Sequence, residues 1–405
     1  MLMWKLAFRN IFRQRRRSIL TALSMTGGYV LCVLSFSMTE GSYSNVIKIF
    51  TEDHTGDIQI HSEDYLTRPK IHKNIDDNAA VERVLNQSEF VRSYTKRVFS
   101  PGLAYAGNES TPVKIVGVDP DLESNTSRLA DKVKQGVYFN NQPNDDGYFK
   151  AMIGVRAATS LQLNIGDELI LISQGADGSI ANDIYIIGAI VGSRSSWDSS
   201  TVYLPLNSAH DFLTLHGKSH QYALALNDSA DVIAATQSIQ AQLPAFSVSP
   251  WMVVEETFYK TMQADKEGNL FGLFIIVFIV FIGVLNTVLM SVLERTHEFG
   301  VLKAIGSRPA TITVMILLET TLLAFLSVVV GILLAIPIIY WFANVGIAMP
   351  EPVDVGGIAF QHMKGEFSLE VFLLPMLFIL SFAIVVAILP GIRAARVLPT
   401  EAMRG

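Results

Sequence analysis

The chain has 405 residues, 50% of them hydrophobic and 17% charged, with a mean hydropathy of +0.35 and a formal net charge of −6. That composition is too apolar for an ordinary soluble domain and points to an integral membrane protein with a substantial soluble part, for which no nucleic-acid partner is expected. The single cysteine, Cys32, lies in the first apolar run, which excludes an intrachain disulfide and a thiolate metal cluster.

In chain order, residues 1–17 carry Lys5, Arg9, Arg13, Arg15, Arg16 and Arg17 with no acidic residue, beside Trp4, Leu6, Phe8, Ile11 and Phe12. Such a segment reads as an interfacial helix on an anionic inner leaflet. The following apolar run, within 18–39, is long enough to span and has no clean small-residue cleavage site after it, so a first transmembrane helix is expected rather than a cleaved signal. Residues 40–269 form a large outer segment. Its flanks, 39–53 and 251–267, read as helices that extend the membrane spans outward. Between them, β-like runs at 58–61, 113–118, 152–155, 168–172, 183–191 and 201–204 alternate with helical ones at 78–87, 208–215 and 230–243. An α+β domain is expected there.

Residues 270–293 contain no Asp, Glu, Lys, Arg or His and read as the second span. A charged segment, 294–310, follows, in which Phe299, Leu302 and Ile305 recur at helical spacing among Glu294, Arg295, Glu298 and Lys303. It reads as a short amphipathic helix outside the bilayer, capped by Gly306 and stopped by Pro309, which a partner protein grips. The third span, 311–342, carries one ionisable residue, Glu319, about eight residues in. A loop at 343–368 leads to the fourth span, 369–390, and a tail, 391–405. The arm, the 294–310 segment and the tail are basic, whereas 343–368 is acidic. The positive-inside rule therefore puts both termini and the coupling segment in the cytoplasm and the large domain outside.

The segment ERTHEFGVLKAIGS resembles the coupling segment that joins the second and third membrane helices in the FtsX/MacB/LolC-type superfamily of ABC permeases. LAFRNIFRQRRRSILTAL near the start and PGIRAARVLPTEAMRG at the end resemble that superfamily's entry and exit segments, so the resemblance runs the length of the chain. Shorter likenesses, VKIVGVDPDLE to lipoprotein-releasing permeases and GDIQIHSEDY to an FtsX-like subgroup, bear on the subfamily. The resemblance implies a four-helix membrane protein with an α+β domain inserted after the first helix. It further implies that Glu294, Arg295, Glu298, Phe299, Gly300, Leu302, Lys303 and Gly306 couple to a cytoplasmic ABC ATPase dimer, and that a second permease, identical or different, completes the assembly.

Apparent catalytic signals do not assemble into a site. Gly217-Lys218-Ser219 ends like a phosphate-binding loop, but Phe212 stands where that motif requires glycine. Ser93-Tyr94-Thr95-Lys96 matches S-x-x-K without its partner motifs and reads as a polar loop. His54, His61 and His72 are spaced unlike a compact metal-ligand set. The expectation is a non-catalytic permease of the inner membrane with its large domain in the periplasm. ATP and Mg²⁺ would be bound by the partner ATPase, and no cofactor or metal is expected in the chain. Among cargoes, lipoproteins or lipids passed to a periplasmic carrier stand first, a MacB-like efflux or mechanotransmission role second, and a scaffold or sensor without transport third. Glu319 is either an interhelical or headgroup hydrogen-bonding group or a conformational, proton-linked one. The small residues Gly27, Gly28, Gly283 and Gly331 permit close helix approach.

Overall fold

The computed structural model describes residues 9, 10, 13, 15–62, 64–227, 230–355 and 358–397. Most of the expected interfacial arm, including Trp4, Lys5, Leu6, Phe8, Ile11 and Phe12, and the tail from residue 398 lie outside the described residues. Two compact units are present, one made of Met1–Asn45, Met262–Met349 and His362–Gly405, the other of Val46–Thr261 and Pro350–Gln361.

Helix α1 (Arg15–Phe50) ends in a π-helical turn at Thr51–Thr55, followed by strand β1 (Ile58–Ser62), helix α2 (Asn78–Gln87), strands β2 (Val91–Ala106) and β3 (Glu109–Val118) and helix α3 (Pro120–Thr126). Next come β4 (Val133–Gly136), β5 (Lys150–Gly154), α4 (Val155–Leu161), β6 (Glu168–Gln174), β7 (Ile180–Val191), β8 (Thr201–Pro205) and α5 (Leu206–Phe212). Strand β9 (Gln221–Leu226), α6 (Val232–Gln242), β10 (Phe246–Pro250) and the single turn α7 (Trp251–Val254) lead to the long α8 (Glu256–Glu294). The chain continues through α9 (Thr296–Ala304), α10 (Pro309–Asn344), the paired strands β11 (Ile347–Val355) and β12 (Ile358–Met363), and α11 (Leu369–Arg396).

In the first unit, α1, α8, α10 and α11 are long and apolar enough to cross a membrane. Helix α8 has 39 residues, about 58 Å at the helical rise, against roughly 30 Å of hydrocarbon, and its polar first part, 256–269, is the length in excess of an apolar layer. Small residues set the packing. A Cβ on Gly331 would lie 2.6 Å from the Tyr29 ring, and one on Gly28 would lie 2.5 Å from Val280, whereas Gly27 and Gly283 have open space. Polar groups inside the bundle are satisfied across helices: Thr26 donates to the Ser327 carbonyl at 3.0 Å, and Tyr29 to the Phe372 carbonyl at 3.1 Å. Glu40 and Lys266 pair at 2.8 Å where α1 and α8 run on past the apolar stretch.

The second unit is α+β, built on one ten-stranded sheet ordered β10-β1-β9-β2-β3-β8-β5-β7-β4. Strand β6 pairs with both β2 and β7, so β2, β3, β8, β5, β7 and β6 close into a six-stranded ring. Pairs β3–β8 and β5–β7 are parallel and the other strand pairs antiparallel. The ring's core gathers Ile115, Ile153, Leu169, Tyr185 and Leu204 with residues of α4 and α5. The remaining strands, β10, β1 and β9 with the start of β2, pack Ile58, Ile60, Tyr222 and Leu224 against Val81 and Leu85 of α2 and Ile239 of α6.

Strand β2, 16 residues long, belongs to both halves of this unit. It contains Ser93–Lys96, for which a polar loop is expected; the structure makes it strand instead, because cross-strand pairing with β9 satisfies the polar stretch. Pro101 and Gly102 lie in the same strand, where they ordinarily argue against a paired one. The Gly117-Val118-Asp119-Pro120 stretch is the end of β3 and the start of α3. Asp119 accepts from the backbone of Asp121 and Leu122, and Pro120 occupies the first turn, where its missing N–H costs nothing. His61 is buried, stacked on Tyr65 and bonded to Gln59 and to the His220 carbonyl.

Candidate functional site

The charged segment between α8 and α10 folds as α9, a helix of nine residues. Its end follows from Gly306, whose φ of +98° is open to glycine at no steric cost. The Gly306 N–H bonds the Lys303 carbonyl and the Ser307 N–H bonds the Leu302 carbonyl, both at 3.0 Å, the paired bonds of a Schellman ending. Pro309 then opens α10 after Arg308.

Four of the sequence-predicted residues turn inward. The Phe299 side chain has no exposed surface and packs with Val292, Ile312, Ile316 and Ala394, so it anchors α9 to the bundle rather than standing on a docking face. Gly300 is buried beside it. The Lys303 ammonium caps the end of α11, donating to the carbonyls of Ala395 at 2.9 Å and Val397 at 2.7 Å, where the helix dipole favours a cation. Arg295 lies 5.2 Å over the Phe299 ring. Its guanidinium donates to Glu319 Oε2 at 2.8 Å and to Glu298 Oε2 at 3.1 Å.

Glu319 is thus joined to the segment before α9 by an ion pair, with both side chains mostly buried. Its other oxygen accepts from Asn10 at 2.5 Å, and Arg13 reaches Glu298 at 3.1 Å. Arg13 is read from the sequence only as one of the basic residues of the arm, and Asn10 is not singled out there. The only signal for them was the charge contrast between a basic arm and the acidic positions 294 and 298. A small pocket lies among these groups, lined by Asn10, Thr21, Arg295 and Glu319 together with apolar residues such as Val292 and Ile316.

The outward face of α9 presents Val301, Leu302 and, just past the last turn, Ile305, which is 79% exposed. Glu294 is exposed at the end of α8, and the Glu298 side chain is partly exposed. The arrangement is a rigid knob, fixed from behind by Phe299, Lys303 and Arg295 and apolar in front. No group of three or more histidine, cysteine, aspartate or glutamate residues positioned to hold a metal ion occurs among the described residues.

Comparison with known proteins places this architecture. The family model of the MacB-like periplasmic core domain matches residues 18–242, and that of the FtsX-like permease C-terminal region matches residues 270–398. The macrolide export ATP-binding/permease protein MacB of Mannheimia succiniciproducens is 24% identical over 342 residues, which is 80% of this chain and 51% of the relative. The lipoprotein-releasing system transmembrane protein LolC of Neisseria meningitidis is 21% identical over 329 residues, 75% of each chain. The chain therefore spans about half the length of the macrolide-export relative, at 51%, and more of LolC. Among solved structures, the periplasmic region of MacB from Actinobacillus actinomycetemcomitans covers 53% of this chain and 98% of its own at 16% identity, with a TM-score of 0.38. With a MacB-like core domain and an FtsX-like C-terminal region matched along its length, this chain belongs to the MacB/LolC/FtsX-type superfamily of ABC transporter permeases.

Proposed function

We propose that this permease converts ATP hydrolysis on a cytoplasmic ABC ATPase into movement of its outer α+β domain, from within the inner membrane and in company with a second permease. The observation that carries the reading is the construction of α9. An exposed apolar front of Val301, Leu302 and Ile305 is fixed to α10 through Arg295 and Glu319 and to α11 through Lys303, so a push on the front is delivered to two membrane helices at once. A coupling element works only if it is stiff relative to what it moves. In this reading α9 faces the cytoplasm, ATP and Mg²⁺ sit on the ATPase, and Glu294, Glu298 and the apolar front form the docking face.

For cargo, we favour lipoproteins or lipids drawn from the membrane toward a periplasmic carrier; the LolC relative is named as part of a lipoprotein-releasing system. A second reading, export driven through a periplasmic partner, has its own support in the match of residues 18–242 to the MacB-like core domain. Mass spectrometry of complexes purified through this chain in nanodiscs separates them. A co-purifying ATPase with a lipoprotein or carrier supports the first, and an ATPase with an export partner supports the second. Recovery of the chain without any ATPase overturns the coupling function itself.

A further inference from the structure

The second unit holds a polar cavity of about 330 Å³. Its walls come from the π-helical turn after α1, from β1, β2, β3, β8 and β9, from α3, from Val254 at the end of α7 and from Glu255 between α7 and α8. Much of the charge around it is already matched within the protein. Arg97 donates to both oxygens of Glu123, at 2.6 and 3.1 Å, and Lys132 lies 2.9 Å from Asp198.

Two opposite charges on the walls are not matched in this way. Lys114 Nζ lies 4.7 Å from the centroid of the Phe99 ring, and among the described residues no carboxylate reaches it at ion-pair distance. Surrounding protein and the nearby Arg97 push this ammonium below the usual lysine range, although it keeps contact with the solvent in the cavity. Glu255 feels the Lys114 charge but makes no side-chain hydrogen bond among the described residues, and burial raises its carboxyl above the ordinary range. Gln221 and Thr201 also line the cavity, 5% and 4% exposed, with side-chain polar groups that no protein group engages among the described residues. Lys114 is exposed and Glu255 half-buried, so with the buried Gln221 and Thr201 the cavity offers an occupant an ammonium, a carboxylate and two neutral polar groups that no other protein group takes up among the described residues.

We propose that this cavity binds a small zwitterion, its acid group received by Lys114 and Gln221 and its primary ammonium by Glu255. A simple anion would face the Glu255 carboxylate and a simple cation would face Lys114; a ligand carrying both charges meets each wall with its opposite. Trp197, half exposed on the lining, supplies an apolar surface for the ligand's body. The same chemistry occurs in free amino acids and short peptides and in aminated lipid headgroups.

The test is calorimetric titration of the full chain in phosphatidylcholine nanodiscs with glycine, longer ω-amino acids and glycylglycine, using acetate and ethylammonium as single-charge controls. A parallel series replaces part of the lipid by phosphatidylethanolamine and follows Trp197 fluorescence against a Trp197→Phe background. Saturable binding of a soluble zwitterion, weakened about tenfold or more in Lys114→Gln and in Glu255→Gln and retained in Lys114→Arg, supports the site and a soluble source. A response seen only with phosphatidylethanolamine and lost in the same two variants supports the site with a lipid source. Variants are compared at matched thermal stability, and Gln221→Leu serves where either charge variant fails to fold. The absence of saturable binding from both sources, or binding unchanged in Lys114→Gln and Glu255→Gln, overturns the proposal and leaves a cavity filled by solvent.

Discussion

The Arg295 guanidinium, one residue beyond the end of α8, donates at 2.8 Å to the Glu319 carboxylate ten residues into α10. The pair closes the loop between two apolar helices and puts a charge inside α10 where an unpaired one would be costly. It also explains why a carboxylate is tolerated there: its partner is carried by the preceding segment of the same chain, with Asn10 on its other oxygen.

Removing either partner strands the other charge in a mostly buried place. Glu319→Gln and Arg295→Met are each expected to lower stability by about 2–4 kcal/mol, and the double variant by less than the sum, with a coupling energy of about 1–3 kcal/mol. Unfolding in detergent measures all four corners of the cycle. Additive losses would show that the pair is not energetically coupled.

Leu302→Asp with Ile305→Asp places charge on the front of α9 without touching the interior. Exposed substitutions of this kind shift stability by roughly 0.5 kcal/mol or less. Thermal unfolding is expected to stay near wild type while co-purification of the ATPase falls sharply. Phe299→Ala should behave differently, losing about 3–5 kcal/mol of stability because it empties a packed site behind the helix. Wild-type ATPase recovery in the double aspartate variant would move the docking surface elsewhere.

Four glycines in the apolar helices looked equivalent in the sequence, but only two face close neighbours. Gly331→Ala must displace the Tyr29 ring, and a loss of about 1–3 kcal/mol is expected. Gly283→Ala meets nothing and should gain up to about 1 kcal/mol from helix propensity. Melting curves of the two variants should therefore move in opposite directions, and a shared sign would contradict the packing described.

The outer domain should weaken in mild acid. Burial lowers the His61 imidazole from its ordinary 6.5 to about 4, and it moves His220 in the same direction. Above the ordinary value both states are neutral and there is no penalty. As the pH falls from 6.5 toward 4 the unfolded chain takes up protons that folded His61 refuses, so stability drops, by up to about 3 kcal/mol for a full shift of this size. Glu123 works in the same sense at lower pH. Burial alone would raise its carboxyl, but Arg97 and the hydrogen bonds around it hold it below the ordinary 4.5, so its contribution is lost only on further acidification. Denaturant titrations between pH 7.5 and 4.5 should show the decline, and His61→Asn should flatten its upper part. A flat wild-type profile would rule out the buried neutral histidine.

Much of the architecture was legible because it is written in local patterns. The uncharged run at 270–293 and the run at 183–191, rich in Ile, Val and Tyr, declare their elements without help from distant residues. Strand β2 was not legible in this way: its polar start is stabilised by β9 and its end, past Pro101, by β3 and β6, partners that lie far along the chain. The same holds within the candidate site. The helix α9 and its glycine ending could be read from spacing, but Phe299 and Lys303, which look like docking residues on a helical wheel, are turned inward by contacts with α10 and α11.

Four apolar helices, an α+β domain between the first two and a short amphipathic helix between the second and third are readable from the residues alone. Those features depend on hydrophobic period, length and capping residues, which are properties of neighbours in the chain. The pairing of Glu319 with Arg295, the joining of two halves of one sheet by β2, and the shared cavity of Lys114 and Glu255 arise in the folded protein. Each of these depends on which residues meet after long loops close, and a buried charge is stable or costly according to the partner that folding brings to it.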